Sequence, residues 1–166
     1  FMIRRVTPAD APAIADIYNH YVVNTVVSFE TEPVTVEAMR RRIGSLSADY
    51  PYFVCEEEGV IAGYCYAHAW KERAAYAHTF ETTVYLSPQC RGRGVGRRLM
   101  ERLIAECRLC GCHALIACIT ACNTASRAFH ERLGFRQVSL FRSVGFKHGS
   151  LLDVADYELL LIENEQ

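Results

Sequence analysis

A β-rich run that stops at a proline and gives way to a glycine-rich segment constrains the fold of this chain more than any other feature. The run Phe80–Leu86 ends at Ser87-Pro88, where proline cannot continue a central ladder of hydrogen bonds. After the segment Arg91–Gly96, apolar residues recur every three or four positions, which predicts a helix ending near Gly111. A strand, a glycine-rich loop and a helix in this order direct backbone N–H groups towards one point, which suits an anionic ligand.

Strand and helix patterns alternate along the rest of the chain. The pattern predicts strands at Ile3–Val6, Tyr52–Glu57, Val60–Ala69, Ala114–Ile119, Phe135–Phe146 and Val154–Ile162. Helices are predicted from Asp10, from Thr35 to about Leu46, and from Asn123 to Leu133. The order β-α-α-β-β-β-α-β-α-β-β predicts an α/β fold with a mixed sheet of about seven strands, flanked by about four helices.

Length and charge narrow the classes of partner. The 166 residues fit one domain, which we place at residues 2–163. The 18 Lys and Arg residues against 19 Asp and Glu residues provide no basic field for nucleic acid or an anionic membrane. No apolar run approaches the roughly 18–20 residues of a membrane span, and the N-terminus lacks the pattern of a signal peptide. We therefore expect a cytoplasmic protein that binds neither nucleic acid nor membrane.

Eight cysteines raise the question of disulfides or metal binding. They lie in apolar periodic segments of a chain large enough to fold without disulfides, so we expect reduced, buried thiols. Cys107, Cys110 and Cys112 form a C-x-x-C-x-C run, but no second Cys/His pair stands at zinc-finger spacing, and we expect no metal. Cys90 precedes the glycine-rich segment, which we expect to be exposed, so Cys90 is the thiol that we expect to react most readily.

The glycine-rich segment by itself leaves its ligand open. No Gly-Lys-Ser/Thr follows it, and glycines at 92, 94 and 96 do not match a dinucleotide-binding fingerprint, so a turn without a ligand remains an alternative. Its context is more specific. The pattern Arg91-x-x-Gly94-x-Gly96, followed by Asn123-x-x-Ser126 and Leu133-Gly134-Phe135, resembles the acetyl-coenzyme A signature of the GNAT superfamily of N-acetyltransferases.

Further stretches resemble one subfamily, the phosphinothricin and methionine sulfoximine acetyltransferases. The matching segments are Ile17–Tyr21, Phe29–Pro33, Trp70–Arg73, Glu81–Tyr85, Phe129–Phe135 and Val144–Gly149. One departure stands out: the subfamily's Gly-x-Trp-x-Asp has Leu151 in the tryptophan position here, which puts the shape of the pocket or dimer packing in question.

The resemblance implies acetyl-coenzyme A as co-substrate, held by the glycine-rich segment and its neighbours. The implied cofactor-binding residues are Leu86, Arg91, Gly92, Arg93, Gly94, Val95, Gly96, Asn123 and Ser126. The backbone N–H of Leu86, where the two central strands are expected to separate, would also meet the oxyanion of the tetrahedral intermediate. Asn123 alternatively serves as a plain helix cap.

Two residues are candidates for acid–base catalysis. An α-amino group has a reference pKa of about 8, so a nearby base increases the reactive neutral fraction at pH 7. Strand alternation places Glu81 and Thr83 on one face, and the resemblance assigns Glu81 as that base, the alternative being a solvated or paired glutamate. His130 occupies the position where much of the superfamily has a tyrosine, and it can act as base, acid or hydrogen-bond donor, or be an ordinary helix histidine.

The resemblance also implies an acceptor pocket for a small zwitterion. Its candidate residues are Phe29, Glu30, Lys71, Arg73, Tyr76 and Thr83. Arg73 can bind a carboxylate in bidentate geometry.

The function implied is direct acetyl transfer to the α-amine of a small amino acid or analogue, by a homodimer. Two alternatives stay open: an acetyltransferase for another small amine or antibiotic, and a coenzyme A-binding sensor without catalysis.

Overall fold

A computed structural model describes residues 1–162. It contains a seven-stranded mixed sheet with helices on both faces of the sheet. The strands are β1 Met2–Arg5, β2 Tyr52–Glu57, β3 Val60–Ala69, β4 Thr79–Leu86, β5 Ala114–Thr120, β6 Arg136–Lys147 and β7 Ser150–Leu160. The α-helices are α1 Ala11–Asn24, α2 Val36–Asp49, α3 Val95–Leu109 and α4 Thr124–Arg132, and short 3₁₀ turns cover Pro8–Asp10, Ala74–Tyr76 and Pro88–Cys90. The predicted fold class and order of elements are confirmed.

The sheet separates at its centre. Its strand order is β1-β2-β3-β4-β5-β7-β6, and β4 and β5 form its parallel pair. Their pairing covers only Thr79–Glu81 opposite Ala114–Ile116, although β4 continues to Leu86 and β5 to Thr120. Beyond Glu81 the two strands therefore diverge and leave a gap between them.

Two apolar clusters, one on each face of the sheet, hold the helices. In β2, Phe53 and Cys55 face α3, whereas Tyr52 and Val54 face α1 and α2, as period-two alternation requires. The α3 side chains in the first cluster are Val95, Leu99, Met100, Leu103, Ile104 and Cys107. The α1 and α2 side chains in the second are Ala11, Ile14, Ala15, Ile17, Tyr21, Met39 and Ile43.

Local signals account for the helix ends. Thr35 caps α2, because its Oγ1 accepts a hydrogen bond from the N–H of Ala38 at 3.1 Å. Gly94, with φ of 79°, precedes α3, and Gly111, with φ of 76°, follows it. Both glycines adopt a left-handed conformation that other residues disfavour, so glycine punctuation predicted this helix well.

The last strand differs from its prediction. It begins at Ser150 rather than Val154, directly after a tight turn in which His148 has φ of 50° and Gly149 has φ of 76°. A strand is expected to alternate apolar buried residues with polar exposed ones. Leu151 and Leu152 depart from this alternation, because the apolar Leu151 lies exposed on the outer strand pair.

The cysteines follow the prediction only in part. All eight are free, and Cys55, Cys65, Cys107 and Cys112 are buried as expected. The other four are Cys90, which is half-buried, and the exposed Cys110, Cys118 and Cys122. Residues 91–94 after Cys90 are exposed, as expected, but Cys90 itself is half-buried. The exposed thiols lie at the end of α3, on β5 beside the gap and in the turn that follows β5.

Residues 1–162 show neither a clustered set of metal ligands nor a membrane-spanning helix. No three or more His, Cys, Asp or Glu side chains among them are grouped so that they could hold a metal ion. No helix within this range is long and apolar enough to cross a membrane.

Candidate active site

The gap between β4 and β5 opens into a cleft of about 920 Å³. Its walls come from both strands, from α1, from the loop after α1 and from α4. The structure brings ten of the predicted site residues to this cleft: Phe29, Glu30, Glu81, Thr83, Leu86, Arg91, Gly96, Asn123, Ser126 and His130.

The end of β4 presents backbone polar groups to the gap. The N–H of Ser87 donates to the Ala62 carbonyl on β3 at 2.9 Å, so the preceding peptide groups alternate, and those of Val84 and Leu86 face away from β3. No ladder with β5 uses them, because that pairing ends at Glu81. These oriented N–H groups can bind an extended amide-containing chain or a developing oxyanion.

Tyr21 joins the strand end to the glycine-rich segment. Its hydroxyl donates a short hydrogen bond to the Leu86 carbonyl and accepts one from Arg91 Nη2 at 3.1 Å. The Arg91 guanidinium also lies 5.5 Å from the centre of the Tyr21 ring. Sequence reasoning missed Tyr21, which reads as one more apolar residue on the buried face of α1.

The glycine-rich segment forms an anion cradle in front of α3. Gly92 and Gly94 have φ of 76° and 79°, so only glycine fits this path without strain. At Gly96 a Cβ would stand 3.4 Å from both Leu86 Cδ1 and Phe129 Cζ, and it would narrow the passage between the cleft and the cradle. Arg97 and Arg132 line the adjoining hollow of about 310 Å³, which adds positive charge to that of the helix N-terminus.

Two predicted cofactor residues contribute no side chain to either cavity. Arg93 is ion-paired with Glu57 on β2, and Val95 is fully buried in the core. Their backbone N–H groups, in the loop and the first turn of α3, are the parts that can face an anion.

Glu81 lies where β4 leaves β5, and it is paired. His68 on β3 is its partner directly across the strand pair, with His68 Nε2 3.3 Å from Glu81 Oε2. The hydrogen bond with Glu81 is the main cause that raises the pKa of His68 above its ordinary value. Sequence reasoning missed His68, and the available signal was the hairpin register, which places it opposite Glu81.

His130 is buried on α4 with one nitrogen engaged. Its Nδ1 donates to the Ser126 carbonyl at 2.8 Å, and its ring packs edge-on against Phe129 and Phe135. Burial lowers the pKa of His130, so the ring is neutral at pH 7 and Nε2 carries a lone pair. A neutral imidazole at the cleft can accept a proton or a hydrogen bond.

Asn123 and Ser126 start the same helix. Asn123 Oδ1 accepts from the N–H of Ser126 at 3.2 Å, so Asn123 is the helix cap. Both residues also line the cleft, and the cap geometry leaves the amide group of Asn123 available to a ligand.

The acceptor residues divide into two groups. Phe29, Glu30 and Thr83 line the cleft, and Glu30 is ion-paired with Arg42 of α2. The other candidates, Lys71, Arg73 and Tyr76, lie on the exposed connection between β3 and β4 and are not among the described residues that line the cleft. There Lys71 Nζ stands 4.5 Å from the Trp70 ring centre, and Tyr76 packs edge-on against the same ring.

Comparisons with known proteins agree with this architecture. The sequence profile of the Acetyltransferase (GNAT) family matches residues 14–135. A phosphinothricin N-acetyltransferase of Streptomyces viridochromogenes is 39% identical over 161 residues, covering 95% of this chain and 88% of the relative. An L-methionine sulfoximine/L-methionine sulfone acetyltransferase of Salmonella typhimurium is 36% identical over 168 residues, covering 98% and 95%.

A solved structure extends the likeness to three dimensions. The crystal structure of a GNAT superfamily phosphinothricin acetyltransferase from Sinorhizobium meliloti, in complex with acetyl-coenzyme A, superposes with a TM-score of 0.93. It is 36% identical and covers 96% of this chain and 88% of its own. The chain belongs to the GNAT family of acetyltransferases.

Proposed function

We propose that the protein transfers the acetyl group of acetyl-coenzyme A directly to the α-amine of a small amino acid or amino-acid analogue. The observation that carries this proposal is the cleft itself: one strand brings a carboxylate, Glu81, and free backbone N–H groups at Val84 and Leu86 to the same gap. The relatives named for phosphinothricin and methionine sulfoximine support this class of acceptor.

Acetyl-coenzyme A would lie along β4, with its pyrophosphate at the glycine cradle. The open backbone at Gly92 and Gly94 and the N-terminus of α3, which includes Gly96, fit a phosphate group. Val84 and Leu86 N–H groups would bind the pantetheine amides and polarise the thioester carbonyl. Asn123 and Ser126 would contact the cofactor from α4.

Glu81 would remove a proton from the ammonium of the acceptor, so that the neutral amine attacks the thioester carbonyl. The C–S bond then breaks and the thiolate of coenzyme A leaves. His130, neutral at the same cleft, would serve as a hydrogen-bond acceptor that orients the amine or takes the second proton.

Direct transfer is favoured over an acyl-enzyme by the state of the cleft's thiol. Cys118 faces the cleft from β5. The cleft walls partly bury this thiol, and this partial burial, together with the nearby Asp156 and Glu81, raises its pKa to about 12. A thiol at pH 7 is a poor nucleophile compared with a thiolate.

Phe29, Glu30 and Thr83 would shape the acceptor pocket of the same chain. The assembled protein would be a homodimer of cytoplasmic chains, in which Lys71, Arg73 and Tyr76 would bind the acceptor carboxylate. The catalytic domain of each chain would span residues 2–163, of which Glu163 lies outside the described residues. Exposed apolar side chains on the outer strand pair support an interface: Phe141, Val144, Phe146 and Leu151. Light scattering on the purified protein tests the dimer.

The test of the function is thiol release from acetyl-coenzyme A. The acceptor panel contains phosphinothricin, methionine sulfoximine, ordinary amino acids and a polyamine. Saturable turnover on the amino-acid analogues supports the proposal. Turnover only on a different amine contradicts the acceptor class, and coenzyme A binding without any turnover identifies a sensor.

A further inference from the structure

His68 stands beside the proposed base, on the neighbouring strand. It lies directly across the β3–β4 pair from Glu81, and both residues line the cleft. The side chains are 30% and 29% exposed, so the pair is half-buried but in reach of solvent.

The hydrogen bonds of the ring define where its protons sit. His68 Nδ1 is 2.9 Å from the Ala69 carbonyl, and a carbonyl oxygen only accepts, so Nδ1 carries a hydrogen. In the neutral ring Nε2 then holds a lone pair, and this nitrogen is 3.3 Å from Glu81 Oε2. A lone pair facing a carboxylate oxygen is an arrangement ready to receive a proton from that oxygen.

We propose that His68 is a positioning residue that acts through Glu81. The neutral ring draws off the proton that Glu81 takes from the substrate ammonium, and the resulting imidazolium holds the carboxylate through its Nε2–H. This inference rests on the proposed function. An N–H bond of the ammonium breaks, its electron pair stays on nitrogen, and the proton binds Glu81. That O–H bond then breaks as a bond forms between the proton and His68 Nε2, and the imidazolium releases the proton to water. Glu81 returns to its carboxylate form before the next turnover.

The other ionisable side chains of the cleft do not prevent His68 from gaining and losing a proton near pH 7. The other titratable or charged side chains that line the cleft are Tyr18, Tyr21, Glu30, Tyr66, Tyr85, Arg91, Cys118 and His130. Burial raises the pKa of Tyr18, Tyr66 and Tyr85, and Cys118 also stays protonated near pH 7. Arg42 neutralises Glu30, and Asp156 is the strand partner of Cys118 on β7.

The direction of the pH effect follows from the pair. The relay needs a neutral His68, because an imidazolium has no vacant site at Nε2. Glu81 favours the charged ring and raises the pKa of His68 above 6.5. We therefore expect kcat/KM to rise with pH through this raised pKa.

The first arm of the test needs no activity. The ring signals of His68 are followed by NMR from pH 5 to 9 in wild type and Glu81→Gln, with His68→Gln used to assign them. We expect a titration midpoint above 6.5 in wild type and a lower midpoint in Glu81→Gln. Equal midpoints would overturn the pairing.

The second arm is the pH profile of kcat/KM for the best acceptor. His68→Gln keeps an N–H that can hold Glu81 but cannot accept a proton, so we expect the His68 inflection to disappear and kcat at pH 7.5 to fall about tenfold, with KM for acetyl-coenzyme A unchanged. His78→Gln, at an exposed histidine outside the described cleft lining, is the matched control and should keep the wild-type profile.

The outcomes separate the two proposals. A wild-type protein that acetylates no amine contradicts the proposed function, and this inference falls with it. An active wild type whose profile is unchanged in His68→Gln overturns the role of His68 alone.

Discussion

Replacing Tyr21 by phenylalanine removes one hydroxyl that serves two parts of the cofactor site. In the native chain this hydroxyl donates to the Leu86 carbonyl at the end of β4 and accepts from Arg91 Nη2 at 3.1 Å. The ring itself is only 4% exposed, so a phenylalanine fills the same space and keeps its contact with the Arg91 guanidinium. The variant therefore isolates the hydrogen bonds from the packing.

The size of the effect can be worked from these contacts. A neutral hydrogen bond contributes about 1 kcal/mol, and the bond to the exposed Arg91 adds a fraction of that because solvent competes for the guanidinium. Water can reach the open cleft and partly replace both bonds. We therefore expect the free energy of unfolding to fall by about 1 kcal/mol. Because the strand end and Arg91 are then less well ordered, KM for acetyl-coenzyme A should rise several-fold. The melting temperature should fall by about 2–4 °C.

The assay is steady-state thiol release at varied acetyl-coenzyme A, together with thermal unfolding with and without the cofactor. Tyr50→Phe is the matched control, since Tyr50 packs edge-on against Phe80 and contacts neither Leu86 nor Arg91 through its hydroxyl. If Tyr21→Phe left both the cofactor KM and the melting temperature at wild-type values, the argument that Tyr21 orders the strand end and the glycine-rich segment would be wrong.

Three further predictions concern single residues. Burial lowers the pKa of His130 from its ordinary 6.5, so as the pH falls the imidazole is protonated in the unfolded chain before it is protonated in the folded one, and the free energy of unfolding should fall by up to about 1.4 kcal/mol per pH unit below pH 6.5. Urea unfolding at pH 7.5 and 5.5 should show a smaller loss of stability between the two pH values in His130→Gln than in wild type. An equal loss of stability would contradict the burial argument. In Gly145→Ala the new Cβ would lie 2.6 Å from Phe29 Cε2, so the ring must swing out, with a cost of about 1 kcal/mol in unfolding and a several-fold rise in acceptor KM; an unchanged acceptor KM would exclude Phe29 from the pocket. Gly96→Val should raise KM for acetyl-coenzyme A at least tenfold, because even a Cβ would stand 3.4 Å from Leu86 Cδ1 and Phe129 Cζ, whereas an unchanged KM would place the cofactor elsewhere.

Local chemistry explains what the sequence could predict. The turn between the predicted strands Tyr52–Glu57 and Val60–Ala69, the start of the second helix at Thr35 and the glycine before α3 are each decided by neighbouring residues. In the structure Glu58 and Gly59 form that turn and Thr35 caps the helix. The element order then follows, because each apolar period identifies a strand or a helix.

Features that depend on contacts between distant segments could not be predicted from the sequence. The hydroxyl of Tyr21 meets the Leu86 carbonyl across 65 positions, and the pairing of His68 with Glu81 depends on hairpin register. Cys118 reads as a buried strand residue, but β5 leaves β4 at Ile116, so the thiol faces the cleft. Arg73 matches a family stretch by sequence, yet it is exposed and is not among the described residues that line the cleft.

Product analysis tests whether the protein acetylates an α-amine with Glu81 as the base. Wild type and Glu81→Gln are incubated with acetyl-coenzyme A and either phosphinothricin or methionine sulfoximine, and N-acetylated product is quantified by mass spectrometry. We expect product on the α-amine for wild type and a rate lower by about a hundredfold or more for Glu81→Gln, with cofactor binding intact. Equal rates for the two proteins, or acetylation that never reaches an α-amine, would contradict this expectation.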